Sequence, residues 1–278
     1  MNKIGVVILD WAGTTIDYGS FAPMDAFIAA FDAFGIKAGI NEIRAHMGLP
    51  KRQHIEKMLE GRELAALWQE KHGGAHTQND IDQIYKCFEK ALFEVLPLHA
   101  EPLPGTVEAV AQIREMGTVI GSTTGYTRAM MDVIVPLAKV KGYAPDCVIC
   151  PEDAGGIGRP YPYMLWRNLE KLKCLSARSV LKVGDTTADM EEGKNAGVLC
   201  AGVLKGSSML ALTKEELERK SAGEKQKLFT KARQKYLDAG ADFIIEEIGA
   251  LPGLIKFLNS GKGDTLYDGT EKFLFRTQ

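Results

Sequence analysis

The opening run from Ile4 to Asp17 reads IGVVILDWAGTTID, and the architecture turns on it. Ile4, Val6, Val7, Ile8 and Leu9 form an apolar run without helical spacing, the pattern of a strand covered on both faces. The run stops at Asp10, and Gly13 follows three residues later. An acid at the carboxyl end of a buried strand, then a glycine turn, is where open α/β sheets place their chemistry. The same acid can equally do no more than cap a βα turn. The string SVLKVGDTTAD (Ser179 to Asp189) tips the balance, because a second apolar strand again ends in Gly184-Asp185, with Asp189 four residues on. Carboxylates offered by two strand ends to one centre make a hard-cation site, for which Mg²⁺ is the natural occupant.

Outward from this pair of strands the chain alternates. After Asp17 the pattern is helical. Met24, Phe27, Ile28, Phe31 and Phe34 recur at helical spacing behind Pro23, with Gly35 at the end. Asn41 is placed to cap a short helix ending near Met47-Gly48, and Pro50 to open the next, Lys51 to about Leu59. Two further helices are expected over 63–71 and 79–96. No strand-like run intervenes between Tyr18 and Ala100, and the segment is bounded by Gly19-Ser20 and by EPLPG (Glu101 to Gly105). Two connections of that kind suit a hinged cap. Residues 1–19 and 101–278 are therefore expected to form a Rossmann-like core, and residues 20–100 an inserted all-helical cap. Beyond Gly105, strands are expected over 118–122, 146–150, 180–183, 200–203 and 243–245. Helices lie between them, one carrying Pro136 as a bend and one running over 212–237. This βα alternation predicts a doubly wound parallel sheet. The tail past Gly261 is polar and reads as loosely held.

Composition narrows the function. The chain has 278 residues, 45% hydrophobic and 25% charged, with a net charge of −2 and a pI near 6.3. That balance offers no nucleic-acid surface and no polybasic membrane patch. No apolar run approaches the roughly 20 residues of a membrane span. The first residues enter a strand without an export leader, and the five scattered cysteines read as reduced thiols, so a cytoplasmic location is expected. Cys147 and Cys150 form a lone CxxC within a strand and lack the second pair of a zinc site.

Two more strand ends carry polar residues. Ser122 to Gly125 (STTG) is expected to open a helix with hydroxyls and free backbone N–H groups, a cradle for phosphate, though Ser and Thr are also ordinary helix caps. Arg159, in the loop GGIGRPYP, is a cation within reach of a phosphate or phosphonate oxygen. In the cap, MGLPKRQH (Met47 to His54) places Lys51 in the first turn of a helix. The positive helix end there disfavours an ammonium, and His54 shares the same face as a candidate proton shuttle.

The ordered set Asp10, STTG, Arg159 and GDTTAD resembles the four motifs of the haloacid dehalogenase superfamily over essentially the whole chain. The resemblance implies an Asp10 nucleophile that becomes an aspartyl phosphate. It also implies Mg²⁺ held by Asp10, the Ala12 carbonyl and Asp185. Asp189 would orient metal-bound water or Asp185. Phosphatases of that superfamily read D-x-D-G-T, and their second Asp protonates the leaving alcohol; here Ala12 stands in its place. A carbon leaving group needs an electron sink instead, and a lysine imine is one. DWAGTT, MGLPK-xx-H and GSTTGYT together resemble the phosphonatase family of the superfamily. That implies cleavage of the P–C bond of phosphonoacetaldehyde to acetaldehyde and phosphate, through a Schiff base on Lys51. Thr124, with Ser122 as the alternative hydroxyl, would bind the phosphonate together with Gly125 and Arg159, with Met47 and Tyr126 lining the aldehyde pocket. Ser20 departs from a cysteine present in some members. A sugar-phosphate phosphatase or phosphomutase is the alternative on the same scaffold. The resemblance also implies a homodimer, with Met24, Phe27 and Phe31 on an exposed cap helix as the candidate contact.

Overall fold

The computed structural model describes residues 3–46, 51–260 and 273–275. They divide into two units, one of residues 1–20 and 100–278, the other of residues 21–99.

The larger unit is a seven-stranded parallel sheet in the order β3-β2-β1-β4-β5-β6-β7, with helices in its crossovers. The strands are β1 (Val6–Leu9), β2 (Val119–Thr123), β3 (Cys147–Ile149), β4 (Val180–Gly184), β5 (Leu199–Val203), β6 (Phe243–Ile245) and β7 (Phe273–Phe275). The doubly wound α/β fold is therefore the observed one. β1 lies between β2 and β4, with Leu9 opposite Ser122 on one side and Val183 on the other. All four residues of β1 are buried, as a central parallel strand requires. Strand order reverses between β1 and β4, and the crevice beyond their carboxyl ends is where such sheets bind ligands.

Several local expectations change. The helix after β2 starts at Arg128 and runs to Val140, capped by Thr127, whose hydroxyl accepts from the Met130 N–H. The STTG string therefore does not open it; Ser122 and Thr123 finish β2, and the next four residues form the turn. Pro136 sits inside this continuous helix. The long helix expected over 212–237 is two, Lys214–Arg219 and Ala222–Asp238, each with its own capping box, from Thr213 and Ser221. Phe273–Phe275 pairs with β6 as an edge strand, so part of the tail belongs to the sheet. Cys147 and Cys150 are free buried thiols.

The smaller unit is helical throughout its described residues. It comprises α1 (Ala22–Asp32), α2 (Ile40–Ala45), α3 (Lys51–Glu60), α4 (Arg62–His72) and α5 (Gln78–Val95). α2 takes its cap from Gly39 rather than Asn41. α1 and α5 pack together; the Phe27 ring lies 4.4 Å from Phe88 and 4.2 Å from His54. Met24, Phe27 and Phe31 are all buried. Their helical spacing marks the inward stripe of α1 and not an exposed dimer contact.

Candidate active site

Asp10 follows directly on β1, its N–H donating to the Val183 carbonyl at 2.9 Å and its carbonyl accepting from Thr15 Oγ1 at 2.8 Å. These bonds tie Asp10 to β4 and to its own turn. The turn closes at Gly13, whose φ of +82° is left-handed and where an added Cβ would stand 2.3 Å from Asp185 Oδ2. Only glycine lets the first loop approach the second carboxylate this closely.

Asp185 lies just past β4, fully buried. Its Oδ2 accepts from the Ser208 N–H at 2.8 Å and the Ser208 hydroxyl at 2.6 Å, and its Oδ1 from Thr14 Oγ1 at 3.2 Å. Burial, then the charges of Asp10 and Asp189, pushes its pKa well above the usual carboxylate range. Asp189 occupies the first turn of the helix Thr187–Ala196. Its Oδ2 accepts from the Thr186 hydroxyl at 2.6 Å and the Thr186 N–H at 3.2 Å, forming a capping box. Asp10, Asp185 and Asp189 each place an oxygen within 4.8 Å of the others. Three buried carboxylates this close repel one another, and an oxygen-only donor set suits Mg²⁺, so the residues fit the expected ion.

Arg159 binds these groups together from its loop. Nη2 donates to Asp10 Oδ1 at 2.6 Å and to the Thr123 carbonyl at 3.0 Å, while Nη1 is 3.0 Å from Asp189 Oδ1 and Nε 3.2 Å from Glu192 Oε2. Burial opposes its charge, but Asp10, Asp189 and Glu192 outweigh that and raise its pKa well above the ordinary value. Asp189 behaves inversely: burial would raise its pKa, yet Arg159 and Lys182 hold it below the ordinary value. Removing one partner from a buried ion pair of this kind costs roughly 3–5 kcal/mol.

The hydroxyls after β2 divide their work. Ser122 donates to the Cys147 carbonyl at 3.1 Å, and Thr123 donates to Glu192 Oε2 at 3.1 Å. Thr124 Oγ1 accepts from the Tyr126 N–H at 3.0 Å, which leaves its own proton to give. Gly125 is exposed. The Tyr126 hydroxyl is buried without a hydrogen-bond partner among the described residues. Burial, then the carboxylates of Asp17, Asp10 and Asp185, holds that phenol well above its usual pKa, so it is a proton donor lacking an acceptor.

Within the helical unit, Lys51 begins α3, its amine 5.8 Å from the centre of the Phe27 ring. Burial of the amine lowers its pKa to about 8. His54, one turn on, is fully buried, with Nε2 2.9 Å from the Ile43 carbonyl. That contact makes Nε2 the donor and leaves Nδ1 as a buried acceptor without a partner among the described residues. Burial, then the Lys51 charge, lowers the His54 pKa to about 3. A ring this hard to protonate is a poor proton shuttle at neutral pH. Met47 lies outside the described residues.

Sequence reasoning missed Lys182, Glu192, Ser208 and Thr14. Of these, Lys182 left a legible trace: an ammonium-bearing residue amid Val180, Leu181 and Val183 in a strand buried on both faces must have anionic company.

Three buried carboxylates, two of them at strand ends, and a buried arginine thus meet at the carboxyl ends of β1 and β4. A family model of the haloacid dehalogenase-like hydrolases matches residues 4–197, and the chain belongs to that family of enzymes. It is 42% identical to the phosphonoacetaldehyde hydrolase of Bacillus cereus over 92% of this chain and 97% of that one. To the phosphonoacetaldehyde hydrolase of Bacteroides fragilis it is 43% identical, over 94% and 98% of the two chains. Within the wider family the chain belongs with these relatives. Among solved structures, a phosphonoacetaldehyde hydrolase-like protein from Oleispira antarctica is similar at 31% identity and a TM-score of 0.84, covering 98% and 96% of the two chains. A haloacid dehalogenase-like hydrolase from Streptococcus pneumoniae, 14% identical with a TM-score of 0.64, shares the fold. No helix among the described residues is long and apolar enough to cross a membrane.

Proposed function

We propose that the chain hydrolyses the P–C bond of phosphonoacetaldehyde, giving acetaldehyde and phosphate. The observation that carries the reading is the Lys51 amine set 5.8 Å over the Phe27 ring at the start of α3, where burial lowers its pKa, in a chain whose Ala12 offers no acid to an alkoxide. The names of the relatives supply the substrate.

Lys51 Nζ adds to the aldehyde carbon, and loss of water leaves a protonated imine. Asp10 attacks phosphorus, and the electron pair of the P–C bond moves into the imine to give an enamine. Protonation of the enamine carbon followed by water addition releases acetaldehyde and frees the lysine. A second water cleaves the aspartyl phosphate, so one water is consumed overall. Mg²⁺, which Asp10, the Ala12 carbonyl and Asp185 are suited to hold, would offset the repulsion between carboxylate and phosphonate. Asp189, with Oδ2 committed to Thr186 and Oδ1 to the two cations, acts by orienting its neighbours. Arg159 and the Thr124 hydroxyl grip phosphonate oxygens, with the Gly125 backbone beside them. Tyr126 offers its unpaired O–H to the substrate. His54, one turn on from Lys51, keeps its ring uncharged and offers the open acceptor Nδ1 to the proton transfers around the imine.

The functional unit is proposed to be a homodimer located in the cytoplasm. Borohydride added with phosphonoacetaldehyde tests the chemistry: irreversible inactivation and a mass increment on Lys51 are expected. Retention of full turnover by K51R would exclude an imine. A sugar-phosphate phosphatase would be indifferent to both treatments.

A further inference from the structure

Lys182 lies in the middle of β4 with its side chain fully buried, a setting that ordinarily excludes an ammonium. Its amine is 2.6 Å from Thr123 Oγ1, 2.9 Å from Asp189 Oδ1 and 3.2 Å from Glu192 Oε2. Arg159 holds the same three oxygens: Nη2 is 3.1 Å from Thr123 Oγ1, Nη1 3.0 Å from Asp189 Oδ1 and Nε 3.2 Å from Glu192 Oε2. Two cations thus share one set of acceptors. What Arg159 has in addition is Asp10, at 2.6 Å, and the Thr123 carbonyl, at 3.0 Å.

We infer that Lys182 is a positioning residue for Arg159: by occupying Asp189 and Glu192, it keeps the guanidinium from sinking onto those carboxylates and leaves its Nη2 edge at Asp10. The second oxygen of Glu192, Oε1, is buried without a hydrogen-bond partner among the described residues. That carboxylate has chiefly these two cations to offset its charge. With Lys182 gone, one guanidinium would face both anions, and attraction in a water-poor interior would draw it away from the nucleophile. The Thr123 hydroxyl enforces the sharing. Its one proton goes to Glu192, and its lone pairs receive one donor from each cation. The inference rests on the reading of Arg159 as the phosphoryl-binding group.

The test uses the full chain with Mg²⁺ and inorganic phosphate as the probe, with Kd from calorimetry. K182M should weaken phosphate at least tenfold. The double variant K182M/E192Q, in which the freed carboxylate no longer competes for Arg159, should recover most of that loss. A purely structural role for Lys182 would lower the melting temperature of K182M and leave the phosphate Kd unmoved. Folded K182M binding phosphate within threefold of the wild type would overturn the inference, as would a double variant no better than K182M. Should K182M not fold, K182Q, whose amide keeps a donor for Thr123, enters the same comparison. Turnover of phosphonoacetaldehyde by the wild type is measured alongside. No turnover with the phosphate pattern intact rejects the proposed reaction and leaves the role of Lys182 standing; turnover without the pattern does the reverse.

Discussion

Titrating the Lys51 amine tests the chemistry at its first step, before any substrate is added. Its pKa is lowered by burial from 10.5 to about 8. At pH 7 the nucleophilic amine is then about one molecule in ten, against about one in three thousand for an ordinary lysine, a gain of ~300-fold. Competitive labelling with trace acetic anhydride from pH 6 to 11, read peptide by peptide in a mass spectrometer, yields the midpoint directly. Lys57 serves as the internal reference, since it is on the same helix with its side chain 43% accessible. Its hydrogen bond to Glu60 and that carboxylate's charge shift its pKa upward, opposite to Lys51. The expected profile for Lys51 turns over near pH 8, well before Lys57. The same shift makes the helical unit gain stability between about pH 8 and 10.5, where the unfolded lysine binds a proton that the folded one has lost. A Lys51 midpoint at or above 10 in the folded protein would mean an ammonium at neutral pH, and the argument from burial to imine formation would fail.

Other consequences concern the carboxylate trio. Mg²⁺ at 100 times its Kd should stabilise the wild type by about 2.7 kcal/mol. D185N should show no such rise in a thermal scan, and an undiminished rise would place the ion elsewhere. G13A forces alanine into left-handed backbone, costing roughly 1–2 kcal/mol, and pushes its Cβ against Asp185. It should lower the melting temperature and abolish the Mg²⁺ response together; a normal response would refute the crowding. S208A removes the hydroxyl from Asp185 Oδ2 while leaving the backbone N–H. It should weaken Mg²⁺ about 10- to 100-fold by calorimetry, and unchanged affinity would show that the N–H suffices.

Where chemistry sat at the ends of buried strands, the sequence was readable. The apolar run into Asp10 and the Gly184-Asp185 pair each announced a strand and its terminus, because a strand covered on both faces tolerates few polar residues. Arg159 was visible as a lone loop cation, but its partners were not, since nothing local says which carboxylates a loop will meet. Glu192 escaped notice because it is one turn past Asp189 and looks like one more acid on a solvated helix. Only the crossover from β4 brings it against Lys182. The break in the helix expected over 212–237 could have been seen, since Ser221 and Glu224 stand three apart as a capping box. The inward turn of Met24, Phe27 and Phe31 was misread because helical spacing defines a stripe without saying what covers it.

Asp189 joins two assemblies with a single side chain: one oxygen secures the start of a helix through Thr186, the other anchors the paired cations. Fraying of that helical turn and displacement of Arg159 and Lys182 are therefore one event. Warming cannot loosen the former while sparing the latter, so heat inactivation should track the melting of this turn even where the rest of the sheet still holds.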